Sequence, residues 1–244
     1  MSSDMAFYSS IDYKYGNLLH DILYGKQSFK YTDTKRNVEC HQVNSYQLAH
    51  DMRNGFPLIQ TKKVSMKNIL VELIWFLRGG NNIQYLIKNG CNIWNKDAYT
   101  YYKRLMTYAG LQDDIVSFQE FIEKVTNNSY TNYTKEYECG DLGQVYGKLW
   151  RNFEAPIRDS DTAWETEVVE EDQFENLIDN LKKYPMSRRH VITAWNPVYV
   201  ENVLQAALPP CHWAWEVLPL FNSELDQWEF DLKWHQRSVD AFLG

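Results

Sequence analysis

The chain has 244 residues, 44% of them hydrophobic, and a formal net charge of −7 at pH 7. That length can bury a core as one large domain or two small ones, and the negative balance argues against a general nucleic-acid binder, so any anion site has to be local. Nine Trp, 17 Tyr and 11 Phe suit both a packed core and stacking surfaces for flat ligands. In chain order, Ile11 to Tyr24 reads as a helix with Leu18, Leu19, Ile22 and Leu23 on one side. Thr32 to Asn37 is a polar loop carrying Lys35 and Arg36, either solvated surface or an anion grip. After the turn Asn54-Gly55-Phe56-Pro57, Ser65 caps a predicted helix whose apolar positions are Met66, Ile69, Leu70, Leu73, Ile74, Phe76 and Leu77, ended by Gly79-Gly80. Helices commonly carry a glutamate on a wet face, but the neighbours of Glu72 leave little of one. A carboxyl in such surroundings has a raised pKa and can act as an acid or base. Asn81 to Lys88 reads as a second short helix, and Asn92-Ile93-Trp94 follows it.

Residues 97 to 138 are rich in Tyr, Asn, Lys and Glu, with one amphipathic helix around Val116 to Val125, and read as a peripheral insertion. Gly140 to Gly147 is dense in glycine, but no Lys-Ser/Thr follows as a P-loop requires, so tight turns near a pocket are expected. The acidic stretch from Asp159 to Asp172 reads as an exposed loop. Asp172 and Glu175 then form a capping box for a helix that Pro185 stops. Ser187-Arg188-Arg189 leads into a strand, His190 to Trp195; two arginines there are surface charge or a phosphate clasp. Trp213 to Leu218 and Trp228 to His235 form a hairpin around Asn222-Ser223. In its second arm Trp228, Phe230, Leu232 and Trp234 alternate with polar residues, so one face is expected to be core and the other wet. No repeats or linkers break the chain, which is expected to form a single domain over 1–244.

Leu208-Pro209-Pro210-Cys211-His212 is the most constrained stretch. The prolines fix φ, so the sulfur has little positional freedom at the start of a β-prone run. A lone cysteine is more often a small buried hydrophobe. A nucleophilic thiolate needs positive charge nearby, and Gln236-Arg237-Ser238-Val239-Asp240 groups a fixed cation, a hydroxyl and a carboxylate at the end of the hairpin. His212 is no base for the thiol, because adjacent strand residues point to opposite faces. Cys40, Cys91, Cys139 and Cys211 show no metal-ligand spacing, so no metal is expected. No signal peptide or membrane span is legible, which makes the cytoplasm (a host's, if the source is viral) the expected compartment and free thiols the expected state.

Eight stretches together resemble the thymidylate synthase family and its relatives, the deoxypyrimidine hydroxymethylases. They are Gly55-Phe56-Pro57-Leu58 with Thr61-Lys62-Lys63, Glu72 to Leu77, Asn92-Ile93-Trp94, Gly140 to Gly147, Ser187-Arg188-Arg189, Ala194-Trp195-Asn196, Pro210-Cys211-His212 and Gln236 to Asp240. The resemblance implies an α/β layered fold with a mixed sheet and flanking helices. It implies transfer of a one-carbon unit from 5,10-methylenetetrahydrofolate to C5 of dUMP. In it Cys211 is the nucleophile, Glu72 manages protons, and Arg237 serves both thiol and phosphate. Tyr146, Ser238, Val239 and Asp240 contact the nucleotide. Arg188 and Arg189 reach the phosphate of a partner subunit in a homodimer, while Trp94 and Asp240 bind the folate.

The sequence departs from the family at Lys35, where a phosphate-binding arginine is usual, at Asp97, where a second tryptophan is frequent, and at Gln144, where proline is usual. The family continues beyond Gly244 by about a third of its length. The expectation is therefore a chain needing that segment, or a complementing polypeptide, for full activity. A 5-hydroxymethylase acting on dUMP or dCMP is the nearest alternative function, and an inactive or split-gene fragment is the other.

Overall fold

The computed structural model describes residues 10–33, 38–128, 138–158 and 166–241. The chain divides into two compact units, Met1–Met66 with Asp240–Gly244, and Lys67–Val239. In the smaller unit, helix α1 (Ile11–Tyr24) starts where the Ser10 hydroxyl accepts the backbone N–H of Tyr13. An N-cap of this kind satisfies one of the donors a helix leaves unpaired. The Asp12 carboxylate accepts the backbone N–H groups of Gln60 and Thr61 at 2.7 and 2.8 Å, fixing that loop on α1. Strands β1 (Phe29–Asp33) and β2 (Val38–Gln42) pair antiparallel.

The larger unit begins with α2 (Met66–Leu77, from Lys67 onward), α3 (Gln84–Lys88), α4 (Asn95–Tyr108) and α5 (Phe118–Asn127). Then come α6 (Tyr146–Arg151), the antiparallel pair β3 (Phe153–Arg158) and β4 (Thr166–Glu171), and α7 (Gln173–Lys183). A three-stranded sheet ends the unit, ordered β5 (Val191–Thr193), β6 (His212–Asn222), β7 (Gln227–Gln236). The α/β class follows the expectation, and every strand pair among the described residues is antiparallel. No helix among the described residues is long and apolar enough to cross a membrane.

Within the stretch 97–138, the described residues Ala98, Tyr101, Tyr102, Met106, Phe121 and Val125 lie in the main core. Tyr101 and Tyr102 are buried, and the hydroxyls of Tyr99 and Tyr101 find backbone carbonyls. Tyr101 donates to the Leu204 carbonyl and Tyr99 to that of Val116, both at 2.8 Å, so a polar composition conceals an apolar helix face. Within the acidic stretch 159–172, residues 166–171 form β4 rather than a loop; Val168 and Val169 supply β propensity that the glutamates mask. The alternating face of β7 is not core within this chain: Phe230 and Leu232 are 56% and 60% exposed, and Trp228 and Trp234 are exposed too. Alternation reports which side a residue faces, not whether another layer covers it.

Two glycines permit the close packing that places the next element. A Cβ on Gly143, whose φ is +71°, would sit 2.1 Å from the Gln205 carbonyl oxygen, and one on Gly147 would sit 2.4 Å from that of Gly80. The glycine-rich turn therefore lies flat against the 204–207 segment and the end of α2, with Tyr146 at the start of α6.

Candidate active site

Cys211 stands immediately before β6, where Pro209 and Pro210 deliver a stiff approach. Its backbone N–H donates to the Tyr146 hydroxyl at 2.8 Å. Its carbonyl accepts the Arg237 backbone N–H at 3.0 Å, and its Sγ lies 3.5 Å from Ser238 Oγ. The β6–β7 ladder closes with His212 opposite Gln236, which puts the residues beyond each strand end side by side. The register shifts between His212 and Ala214, and a bulge beside a functional residue re-aims the chain around it.

Arg237 braces this corner. Its Nε donates to the Pro210 carbonyl at 2.9 Å and its Nη2 to that of Pro209 at 3.3 Å, and its guanidinium lies 5.5 Å from the Trp195 ring centroid. Guanidinium has further donors in its fork, so the same side chain can fix the cysteine loop and still meet an anion.

Tyr146 links the thiol to the other half of the site. Its buried ring stacks on His212 at 5.1 Å and packs against Phe76 at 5.0 Å and Trp94 at 6.2 Å. Burial pushes its hydroxyl pKa up, with the Cys211 N–H acting against that. Burial likewise lowers the His212 pKa, favouring neutral imidazole. Trp94 Nε1 donates to Glu72 Oε1 at 2.6 Å. Burial raises the Glu72 pKa, and this hydrogen bond opposes the rise because it favours the ionised carboxylate. The Glu72 charge is felt at Tyr146, so carboxyl, indole, phenol and thiol belong to one region. Glu72 is more shielded than the exposed Leu70, Leu73 and Ile74 of its own helix. The expected dry face of α2 is therefore dry only on the side of Trp75 and Phe76.

Arg188 and Arg189 are exposed before β5, and neither guanidinium makes a hydrogen bond or ion pair among the described residues. Val239 is exposed, Asp240 belongs to the smaller unit, and Lys35 lies outside the described residues. Asp97, in the first turn of α4, has its pKa raised by burial. The sequence reading missed the cation–π support from Trp195 and the stacked His212, since neither spacing nor composition signals them. Among the described residues no group of three or more His, Cys, Asp or Glu could hold a metal ion.

Comparison with known proteins bears on what this arrangement does. A family model described as thymidylate synthase matches residues 13–244. A thymidylate synthase of Mesoplasma florum is 41% identical over 232 residues, which are 95% of this chain and 68% of that protein. One of Phytoplasma mali is 36% identical over 231 residues, 94% of this chain and 67% of that protein. One of Staphylococcus haemolyticus is 35% identical over 249 residues, 97% of this chain and 71% of that protein. The chain thus spans about two thirds of the length of such relatives.

Proposed function

This chain belongs to the thymidylate synthase family, and from that premise we propose that it transfers a one-carbon unit from 5,10-methylenetetrahydrofolate to C5 of dUMP, giving dTMP and dihydrofolate. The observation that carries the reading is the setting of Cys211, whose Sγ meets Ser238 while its loop is braced by Arg237 and Tyr146. Cys211 adds to C6 of the pyrimidine, which turns C5 into a carbon nucleophile. The C5 proton leaves through ordered water to Glu72, whose burial raises its pKa and suits a group that accepts and returns a proton. Cys211 departs at the end by elimination. The folate, as co-substrate, supplies the methylene carbon and the hydride that complete the methyl group. Trp94, whose indole donates to Glu72, is read as the ring beside which the folate's flat ring system lies. Relatives named thymidylate synthase favour methyl over hydroxymethyl transfer.

Ser238, Val239, Tyr146 and Arg237 serve the nucleotide in this reading. The roles of Lys35 toward phosphate and of Asp240 toward the pterin rest on the motif resemblance. The whole chain is read as part of one thymidylate synthase-like domain acting in the cytoplasm. We further propose a homodimer, supported by the bare apolar face of β7 and by the exposure of Arg188 and Arg189, which suits reaching into a partner's site.

The test is covalent trapping. With 5-fluoro-dUMP and methylenetetrahydrofolate, the protein should form an adduct that maps to Cys211 and vanishes in Cys211→Ser. An adduct that survives Cys211→Ser removes the nucleophile assignment. Mixing Arg188→Ala with Cys211→Ser subunits should restore some activity, since one hybrid site keeps both groups. Light scattering should report a dimer; a monomer would reserve the β7 face for another polypeptide.

A further inference from the structure

Tyr146 can hold the Cys211 N–H only while the first turn of α6 stays in place, and the residue at that helix N-cap, Val145, offers no side-chain cap. The turn is instead gripped from outside. Gln144, two residues before Tyr146, donates from Nε2 to Glu154 Oε2 at 3.1 Å. Lys148, two residues after it, pairs through Nζ with Glu154 Oε1 at 2.6 Å. One carboxylate on β3 therefore uses both oxygens to straddle the tyrosine that holds the cysteine. Glu154 is itself anchored: its carbonyl accepts Asn196 Nδ2 at 2.8 Å, and its charge is felt at the Tyr199 hydroxyl. Gln144 is only 6% exposed, its backbone N–H is committed to the Gln205 carbonyl, and its Oε1 has no partner among the described residues. A buried acceptor left unmet calls for a reason, and the grip of the same amide's donor on Glu154 supplies one.

We propose that Glu154 is a positioning residue, which clamps Gln144 and Lys148 on either side of Tyr146 and thereby holds the Cys211 thiol in its reactive place. The inference rests on Cys211 being the nucleophile, but its test does not need turnover. The charge pair is half-shielded, with 27% and 20% of the two side chains exposed, so a purely structural role would appear in melting temperature and not at the sulfur.

The experiment measures iodoacetamide alkylation of Cys211 against pH, by peptide mass spectrometry, in the full 244-residue chain. Cys40→Ser serves as background, because Cys91 and Cys139 are buried. Glu154→Gln should slow alkylation about threefold to tenfold, within the range for residues coupled in one network. Tyr146→Phe should slow it similarly, and the double variant should be no slower than the slower single. The exchange Gln144→Glu with Glu154→Gln keeps a carboxylate against Lys148 and should recover most of the rate. A wild-type rate in Glu154→Gln, even with a lowered melting temperature, overturns the proposal, as do multiplicative losses in the double variant. If Glu154→Gln fails to fold by circular dichroism, the exchange variant decides: a wild-type rate supports the clamp, and a folded protein with a slow thiol refutes it. The coupled pattern without any 5-fluoro-dUMP adduct would sustain the clamp while defeating the functional reading.

Discussion

Trp94→Phe isolates the hydrogen bond at Glu72. The substitution keeps a buried ring near Trp75 and Tyr146 and removes the N–H that donates to Glu72 Oε1 at 2.6 Å. A hydrogen bond to an ionised group contributes about 1.5–3 kcal/mol, and one to the neutral acid about 0.5–1.5 kcal/mol. The packing loss from indole to phenyl is independent of pH, so the informative quantity is the difference between the two protonation states, about 1–1.5 kcal/mol. Glu72 has its folded-state pKa raised by burial. Its contribution is therefore fully present below the unfolded carboxyl range and is lost as pH rises through the folded value. The Trp94 N–H favours the carboxylate and limits that loss. Without it the pKa climbs further and the loss toward neutral pH deepens. Urea melts followed by circular dichroism between about pH 4 and pH 7.5 should show Trp94→Phe destabilised at both ends, and more so at the upper end. In a chain of this size about 1 kcal/mol moves the melting temperature by about 2–4 °C. A Glu72→Gln background should abolish the pH dependence. An equal penalty at both ends would refute the reasoning, since the bond would then be indifferent to the carboxylate charge.

Three further outcomes follow from packing and pairing. Asp172→Asn should flatten the acid limb of the stability curve: burial works to raise this carboxyl, but Arg151 at 2.7 Å and the Glu175 N–H hold it below its usual value. Its stabilisation is thus present above the unfolded aspartate range and lost as pH falls through the folded pKa, so an unchanged acid limb counts against the pair. Gly147→Ala drives a methyl to 2.4 Å from the Gly80 oxygen; overpacking against backbone costs about 1–3 kcal/mol or more, and a variant melting like wild type would show that the turn gives way. Phe121→Ala empties a fully buried site between Tyr99 and Tyr102, with ring centroids at 5.5 and 5.1 Å, and should lose about 3–5 kcal/mol in a denaturant melt. A loss below about 1 kcal/mol would mark the 97–138 stretch as peripheral.

What the amino-acid order determined by itself is local. The Ser10 and Asp172 caps, the glycine end of α2, the hairpin through 222–227 and the stiff prolines before Cys211 depend on groups within a few residues of one another. Glu72 was legible as an unusual carboxyl because its immediate neighbours are apolar, whereas the pairing of Cys211 with Arg237 was implied by the family resemblance and not by local pattern. The tertiary structure alone decided which of these meet. Trp94 reaches Glu72 across 22 positions, Tyr146 reaches Cys211 across 65, and Glu154 reaches back 10 to Gln144 on the far side of a helix. No periodicity carries such contacts, since they depend on how helices and sheets stack rather than on how each one winds. The same limit governed burial. Tyr99 and Tyr101 of α4 looked polar and turned inward, where the Val116 and Leu204 carbonyls accept their hydroxyls. The aromatic face of β7 looked like core and stayed partly exposed among the described residues, because a strand's pattern sets its facing side and only a neighbouring layer removes that side from water.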